Sequence, residues 1–239
     1  MIMRTNRVDV VDFHSHVLPT ADHGSSSLEI SLSQLKRALA KGITRVIATP
    51  HFYPMNDDVE SFLKRRATAY ELLASALTPE LPSIKVGAEV MVCDGIDHLP
   101  GIEKLFINGT QTILVELPLA EFQPEYAASV YRLTSQGIKV VLAHPERYDP
   151  EAVSAMLDSG VLLQCNASSL VKLGKFKKIW PWIAGRHIIA MGSDIHKTKY
   201  SVYNDFVKAT VKLDNYIDFI KEQSDVVWNE AKFGLDEYL

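Results

Sequence analysis

The sequence predicts an α/β protein in which seven parallel strands, each followed by a helix, close into a barrel. Three observations lead there. Seven short runs rich in Val, Ile and Leu recur along the chain, helical patterns separate them, and metal-ligand types of side chain follow six of the seven runs. The runs are apolar nearly throughout rather than alternating, which marks strands covered on both faces, as in a parallel sheet.

In chain order the expected strands span residues 8–13, 43–49, 84–90, 112–117, 138–143, 161–166 and 188–192. The clearest helix starts from a Ser26/Ser27 cap, carries Leu28, Leu32, Leu35 and Leu39 on one face and stops at Gly42. Further helices are expected over 59–77, 124–136, 150–159, 176–184 and 204–223, with exposed loops at 53–58 and 197–203. This alternation predicts βαβ units, and 239 residues suit one barrel domain, 1–239, with a substantial core.

Composition narrows the function classes. Apolar residues make up 47% of the chain and charged residues 23%, as in soluble globular proteins. A net charge of -4 leaves no basic footprint, which excludes nucleic acid as the expected partner. The first seven residues lack the apolar core of a signal peptide. The longest stretch free of Asp, Glu, Lys and Arg, 159–171, falls short of the roughly 18 residues of a membrane span, so no membrane insertion is expected. Cys93 and Cys165 form no CxxC pair, so neither a disulfide framework nor a thiolate zinc site is expected, and a reducing cytoplasm suits the chain.

The strand ends carry His14 and His16, His51, Glu89, Glu116, His144, then Asp194 and His196. In a parallel barrel these ends share one rim, whereas in an open sheet the outer strands would lie too far apart to cooperate. Histidine with carboxylate and no thiolate suits Zn, Mn or Fe. The donors outnumber what one ion can use, so two to three divalent metal ions are expected, with Glu89 as a bridge. About four to six positive charges from the ions against three carboxylates leave a pocket that draws anions. Arg147, three residues after His144, is placed to clamp phosphate oxygens, and Lys197 and Lys199 add charge. The expected reaction is in-line displacement at phosphorus by a metal-bound hydroxide. Arg147 and His196 are the candidate catalytic residues.

Simpler readings stand beside these. His98 and His187 are expected to be packed or hydrogen-bonded residues, and Trp180 and Trp182 to pack on helices. Glu116 sits in an apolar strand, where an acid must be paired or metal-bound. Arg147 could instead pair with Glu146 or Asp149, and Asn166 could line the pocket or close a turn.

The segments Asp12-Phe13-His14-Ser15-His16, Ala48-Thr49-Pro50-His51, Gly87-Ala88-Glu89, Val115-Glu116-Leu117-Pro118, Ala143-His144-Pro145-Glu146-Arg147-Tyr148, Gln164-Cys165-Asn166-Ala167 and Gly192-Ser193-Asp194-Ile195-His196 resemble the polymerase and histidinol phosphatase (PHP) superfamily. Within it they are most similar to the CpsB/CapC-type tyrosine-protein phosphatases of bacterial capsule and exopolysaccharide systems. The resemblance implies a distorted (β/α)7 barrel of PHP type and a three-metal centre holding manganese or iron. It also implies hydrolysis of phosphotyrosine on a partner tyrosine kinase, at its C-terminal tail. It carries metal binding onto the eight strand-end residues and phosphate contact onto Arg147. Two departures stand out. Where the family pairs aspartates before a glycine, this chain has Asp22-His23-Gly24, so the metal position falls on His23, and whether His23 or Asp22 completes a third site is open. Where the family supplies a second arginine, this chain offers Lys197 and Lys199. The alternatives are a small-molecule phosphomonoesterase of histidinol-phosphate type and a catalytically weak, metal-loaded phosphopeptide-binding module. An oligomer is left open.

Overall fold

The seven apolar runs become nine strands. The structure is a computed structural model that describes residues 9–230; Val8, at the head of the first run, and the segment 1–7 lie outside the described residues. The strands are β1 (Asp12–Ser15), β2 (Arg45–Ala48), β3 (His51–Phe52), β4 (Ser83–Val86), β5 (Glu89–Met91), β6 (Thr112–Glu116), β7 (Lys139–Ala143), β8 (Leu162–Asn166) and β9 (Ile188–Gly192). They form one sheet in the order β3-β5-β6-β7-β8-β9-β1-β2-β4, with every pairing parallel.

The count differs from seven because two long segments are broken. Pro50 has no N–H to give to a ladder and separates β2 from β3. Gly87 separates β4 from β5 where the chain passes close to Ile107: a Cβ there would meet the Ile107 side chain at 3.1 Å. Hydrogen bonds from Gly87 N to Ala48 O (2.9 Å) and from Glu89 N to Pro50 O (3.0 Å) bridge the two breaks. Past them, His51 and Glu89 pair in register, so the offset delivers both side chains to the same place.

The helices are α1 (Leu28–Ala40), α2 (Val59–Ala74), α3 (Pro124–Ser135), α4 (Pro150–Asp158), α5 (Ala167–Val171), α6 (Leu173–Ala184), α7 (Ser201–Leu213) and α8 (Ile217–Asn229). Ser27 caps α1 by accepting from Ile30 N, and Asp58 caps α2 by accepting from Ser61 N. Proline opens α3 and α4, where its missing N–H costs nothing. The helix expected over 204–223 is two, because Asp214 turns the chain at φ 42° between α7 and α8. The short α5 has no counterpart among the expected helices, and α6 begins at Leu173 rather than near 176. No helix of the described residues is long and apolar enough to cross a membrane.

Period-two alternation splits the strand side chains between two cores. Val46, Ala48, Ile113, Val115, Val140 and Leu142 join the helices in the larger one. Ile47, Leu114 and Val141 join Val11 and Phe13 in the smaller one, together with Val227 from α8. Two bulges interrupt the alternation. β1 carries an extra residue against β2 between Asp12 and Ser15, and β9 carries one against β8 next to Gln164. Bulges re-aim side chains, and these two lie beside His14 and Gln164.

Candidate metal centre

Parallel strands put their C-terminal ends on one edge, and the ligand-type residues gather there. His14 lies in β1 with His16 just past it, His51 heads β3, and Glu89 heads β5. Glu116 ends β6, His144 follows β7, and Asp194 and His196 follow β9. His14, His16, Glu89 and His144 are at most 1% exposed, and Glu116 is 8% exposed.

Neighbours fix the tautomers of the inner histidines. His14 Nδ1 lies 2.9 Å from Gln164 Oε1, and His16 Nδ1 lies 2.7 Å from Asp22 Oδ2. Both partners are acceptors, so both Nδ1 atoms carry hydrogen and each neutral ring presents a lone pair at Nε2. These two Nε2 atoms face one another at 3.2 Å, and Glu89 Oε2 stands 3.0 and 3.3 Å from them. With both rings neutral, Glu89 Oε2 receives no hydrogen from them, and among the described residues His196 Nε2 has no partner, its ring turning Nδ1 to the Asp194 carbonyl at 3.1 Å. Lone pairs converging in a dry pocket call for a cation among them. Imidazole nitrogens and carboxylate oxygens without a thiolate fit a divalent transition metal.

Three groups bring three donor atoms within 4.8 Å of one another: His14, His16 and Glu89; His51, Glu89 and Glu116; and His16, His51 and His196. They overlap at His16, Glu89 and His51, a pattern suited to more than one ion. His144 Nε2 reaches Glu89 Oε1 at 2.7 Å, and Asp194 Oδ1 lies 3.5 Å from His16 Nε2. His23 enters none of the three groups. Its ring is exposed and stacks between His51 (4.7 Å) and His196 (4.8 Å), and the stack continues from His51 to Tyr53 at 5.2 Å. Asp22 is already engaged: besides His16 it accepts from Gly24 N and His51 N.

In the metal-free protein the charges couple. Burial opposes protonation of His16, but hydrogen bonds to Asp194, Asp22 and Glu89 outweigh it and hold the pKa well above the ordinary histidine value. His14 is raised in the same way, against burial, by Glu89 and Asp194. Burial alone would raise Glu89, yet His14, His144 and His16 bring it well below the carboxylate range. His196 is pushed down to about 4 by burial and by the charge of His16, so its ring is neutral at pH 7.

Arg147 pairs through Nη2 with Asp194 Oδ2, and its side chain is 40% exposed. It pairs with neither Glu146 nor Asp149: Glu146 is buried and accepts from Asn166 N, and Asp149 is exposed. Lys197 and Lys199 are exposed, and Lys197 ties its loop down through its backbone, donating to Gly24 O and accepting from Gln34. Gly24 is required there, since a Cβ would lie 2.3 Å from His16 Cβ. His98 and His187 are exposed and outside the cluster. Trp182 packs against the core, whereas Trp180 is 43% exposed beside Tyr216.

Sequence reasoning missed Gln164 and Tyr148, which orient the cluster, while Asn166 lines the pocket as one of its two readings had it. Gln164 holds His14 and passes Nε2–H to Asn166 Oδ1, and Asn166 donates to Asp194 Oδ2 at 2.8 Å. Tyr148 OH meets His144 Nδ1 at 3.1 Å. The available signal was an amide in an apolar run, two residues from Asn166 and therefore on its face. Asp12, two residues before His14, accepts from Ser193 N, and burial pushes its pKa up to about 7.

A parallel α/β sheet whose end strands β3 and β4 do not pair with each other among the described residues, and which gathers oriented histidines and buried carboxylates along one edge, defines a metal-binding protein. The chain belongs to the capsular polysaccharide synthesis family CpsB/CapC, which it matches over residues 10–203. It is 31% identical to CapC of Staphylococcus aureus over 177 residues, 70% of this chain and 67% of that one. It is 28% identical to the tyrosine-protein phosphatase YwqE of Bacillus subtilis (strain 168) over 201 residues, 80% of this chain and 78% of that one. The fold is similar to a crystal structure from the pair YwqE of Bacillus subtilis and CpsB of Streptococcus pneumoniae, described as metal-dependent tyrosine phosphatases. The TM-score is 0.77 at 20% identity, covering 93% of this chain and 96% of that one.

Proposed function

We propose that this chain is a metal-dependent protein-tyrosine phosphatase. Its partner is a phosphotyrosine-bearing protein, the C-terminal tail of a tyrosine kinase that regulates capsule or exopolysaccharide synthesis. Family membership supports the substrate class. The facing Nε2 atoms of His14 and His16, with Glu89 Oε2 between them, are the observation that carries the metal requirement.

Two to three ions of Mn, Fe or Zn, held by His14, His16, His51, Glu89, Glu116, His144, Asp194 and His196 with His23 at the outer edge, would supply Lewis acidity, making bound water acidic and neutralising phosphate oxygens. The protein's own part is positional. Gln164, Asp22 and Tyr148 orient His14, His16 and His144, and Asn166 orients Asp194. Arg147, half free at the rim, offers its planar fork to phosphate oxygens as they gain charge. A phenolate, from an acid of pKa about 10, departs with less help from a general acid than a serine alkoxide does. While no ion occupies its Nε2, the neutral His196 ring beside the rim can take up a proton there.

The same reading takes 1–239 as one domain and the nine strands as seven units of a distorted (β/α)7 barrel, β2 with β3 and β4 with β5 each counting once. Two free cysteines, one fully buried, accord with a cytoplasmic setting. The test is phosphate release from a phosphotyrosyl peptide, histidinol phosphate and a phosphoseryl peptide across metals, with elemental analysis of the same protein. The expected result is preference for phosphotyrosine with at least two ions per chain. Preference for histidinol phosphate, or full activity with one ion or none, overturns it.

A further inference from the structure

Beyond the ring stack the surface opens into a cleft of about 650 Å³ whose chemistry differs from that of the metal centre. Tyr53, Met91, Pro118 and Tyr126 give it apolar walls, Asp94 and Glu125 line it, and among the described residues no lysine or arginine does. Arg132, on α3, is bound to Asp97 by hydrogen bonds of 2.6 and 2.9 Å. Two contacts join cleft and centre: the Tyr53 ring stacks on His51, and Met91 pairs in register with Glu116.

The two most exposed large hydrophobic side chains among the described residues stand on this side. Met55, 83% exposed, lines the cleft, and Leu119, 85% exposed, lines an adjoining hollow that shares Pro118 and Tyr126. Apolar side chains so placed beside a site mark a surface that a macromolecule covers. A small phosphorylated metabolite has too little body to reach both.

We propose that this cleft seats the polypeptide around the phosphotyrosine, with the tyrosyl ring against Tyr53 and an adjacent lysine or arginine of the substrate against Asp94 and Glu125. The proposal rests on the phosphatase reading and adds the side of the centre along which the substrate chain runs and the charge it carries there. Acidic groups lining an apolar groove discriminate by charge, accepting a basic neighbour and repelling an acidic one.

Cys93 supplies a readout that does not depend on turnover. It lines the cleft and is partly accessible, whereas Cys165 is fully buried. Iodoacetamide at alkaline pH, chosen because burial raises the Cys93 thiol, therefore reports on cleft occupancy. A phosphotyrosyl peptide with lysine beside the phosphotyrosine is expected to slow Cys93 alkylation and to show a KM about tenfold below that of the same peptide with glutamate in the lysine's place. In the double variant D94K/E125K the order reverses, while KM for p-nitrophenyl phosphate stays unchanged.

A lysine peptide that leaves Cys93 unprotected, or a rank order that survives the charge reversal, overturns the cleft assignment even where p-nitrophenyl phosphate is hydrolysed. Failure to hydrolyse p-nitrophenyl phosphate with any metal overturns the phosphatase reading instead, and Cys93 protection still decides the cleft. A dimer in sedimentation with Cys93 shielded before any peptide is added gives this face to a second copy and also overturns it.

Discussion

The two halves of the candidate centre are built differently. On the inner half His14, His16 and His144 are at most 1% exposed, and each ring has its second nitrogen held by Gln164, Asp22 or Tyr148. On the outer half His23, His51 and His196 lie ring against ring, and the His23 ring has stacking neighbours in place of an orienting acceptor. Hydrogen-bonded, desolvated rings cannot turn without losing both a partner and a packed environment, so the inner half is organised before an ion arrives. His51 Nδ1 meets Glu116 Oε1 and His196 Nδ1 the Asp194 carbonyl, each at 3.1 Å, so the outer ring held by stacking alone is His23, and a stack constrains ring planes but leaves nitrogens to trade partners. The inner half is therefore suited to retaining an ion and the outer half to exchanging one or meeting substrate.

The largest effect should come from Glu89, which the two halves share. Glu89→Gln removes one carboxylate charge from each of two donor groups, leaving Glu116 in the second, and is expected to lower kcat/KM by about a thousandfold or more; near-normal turnover with full metal content would remove Glu89 from the centre. Gln164→Leu should weaken ion retention about 10- to 100-fold, the range for a partner that orients a ligand. Competition with a chelator measures it, and unchanged retention would mean that His14 needs no orienter. Arg147→Lys keeps the charge and loses the fork that meets the oxygens as they gain charge, so kcat/KM for a phosphotyrosyl peptide should fall about tenfold, with kcat carrying most of the loss.

Acidity separates metal-free from loaded protein. His14 and His16 have folded pKa values above the unfolded value near 6.5. Their contribution to metal-free stability is fully present below that value and is lost as pH rises through the folded ones. Asp22 and Asp194 are held below the carboxylate range, against burial, chiefly by His16, so they contribute above it and lose that contribution as pH falls. Ion binding displaces the imidazole protons, so stabilisation by metal should grow from pH 6 to 8 while the metal-free melting temperature declines above about 6.5. Thermal scans with and without chelator give both curves, and parallel curves would show that the histidines are not the ion's partners. The smallest change belongs to the outer half: His23→Ala removes stacking only and should alter ion affinity about two- to tenfold. A larger loss, seen by titration calorimetry, would make His23 a ligand.

The ligand-type residues of both halves were legible in the sequence, whereas two residues that orient the inner half, Gln164 and Tyr148, were not. His14, Glu89, Glu116 and His144 stood out because a polar residue at the end of an apolar strand has few other uses. Gln164 did not, because its alignment with His14 depends on bulges in β1 and β9, and one inserted residue in a strand leaves no pattern of its own. The breaks at Pro50 and Gly87 were written in the sequence, yet whether such a break ends a strand or offsets it depends on the neighbouring chain. At the rim, pairing of Arg147 with Asp194 rather than Glu146 was set by where two loops meet, 47 residues apart.

Backbone angles carry one more consequence. His144 and Asp194 adopt φ of 35° and 49°, a left-handed conformation that side chains with a Cβ enter at a cost of about 1–2 kcal/mol. For the chain alone, glycine would be the easier choice at both positions, and glycine binds nothing. A search for heat-resistant variants would thus press on positions 144 and 194, where gains in robustness come out of the centre itself.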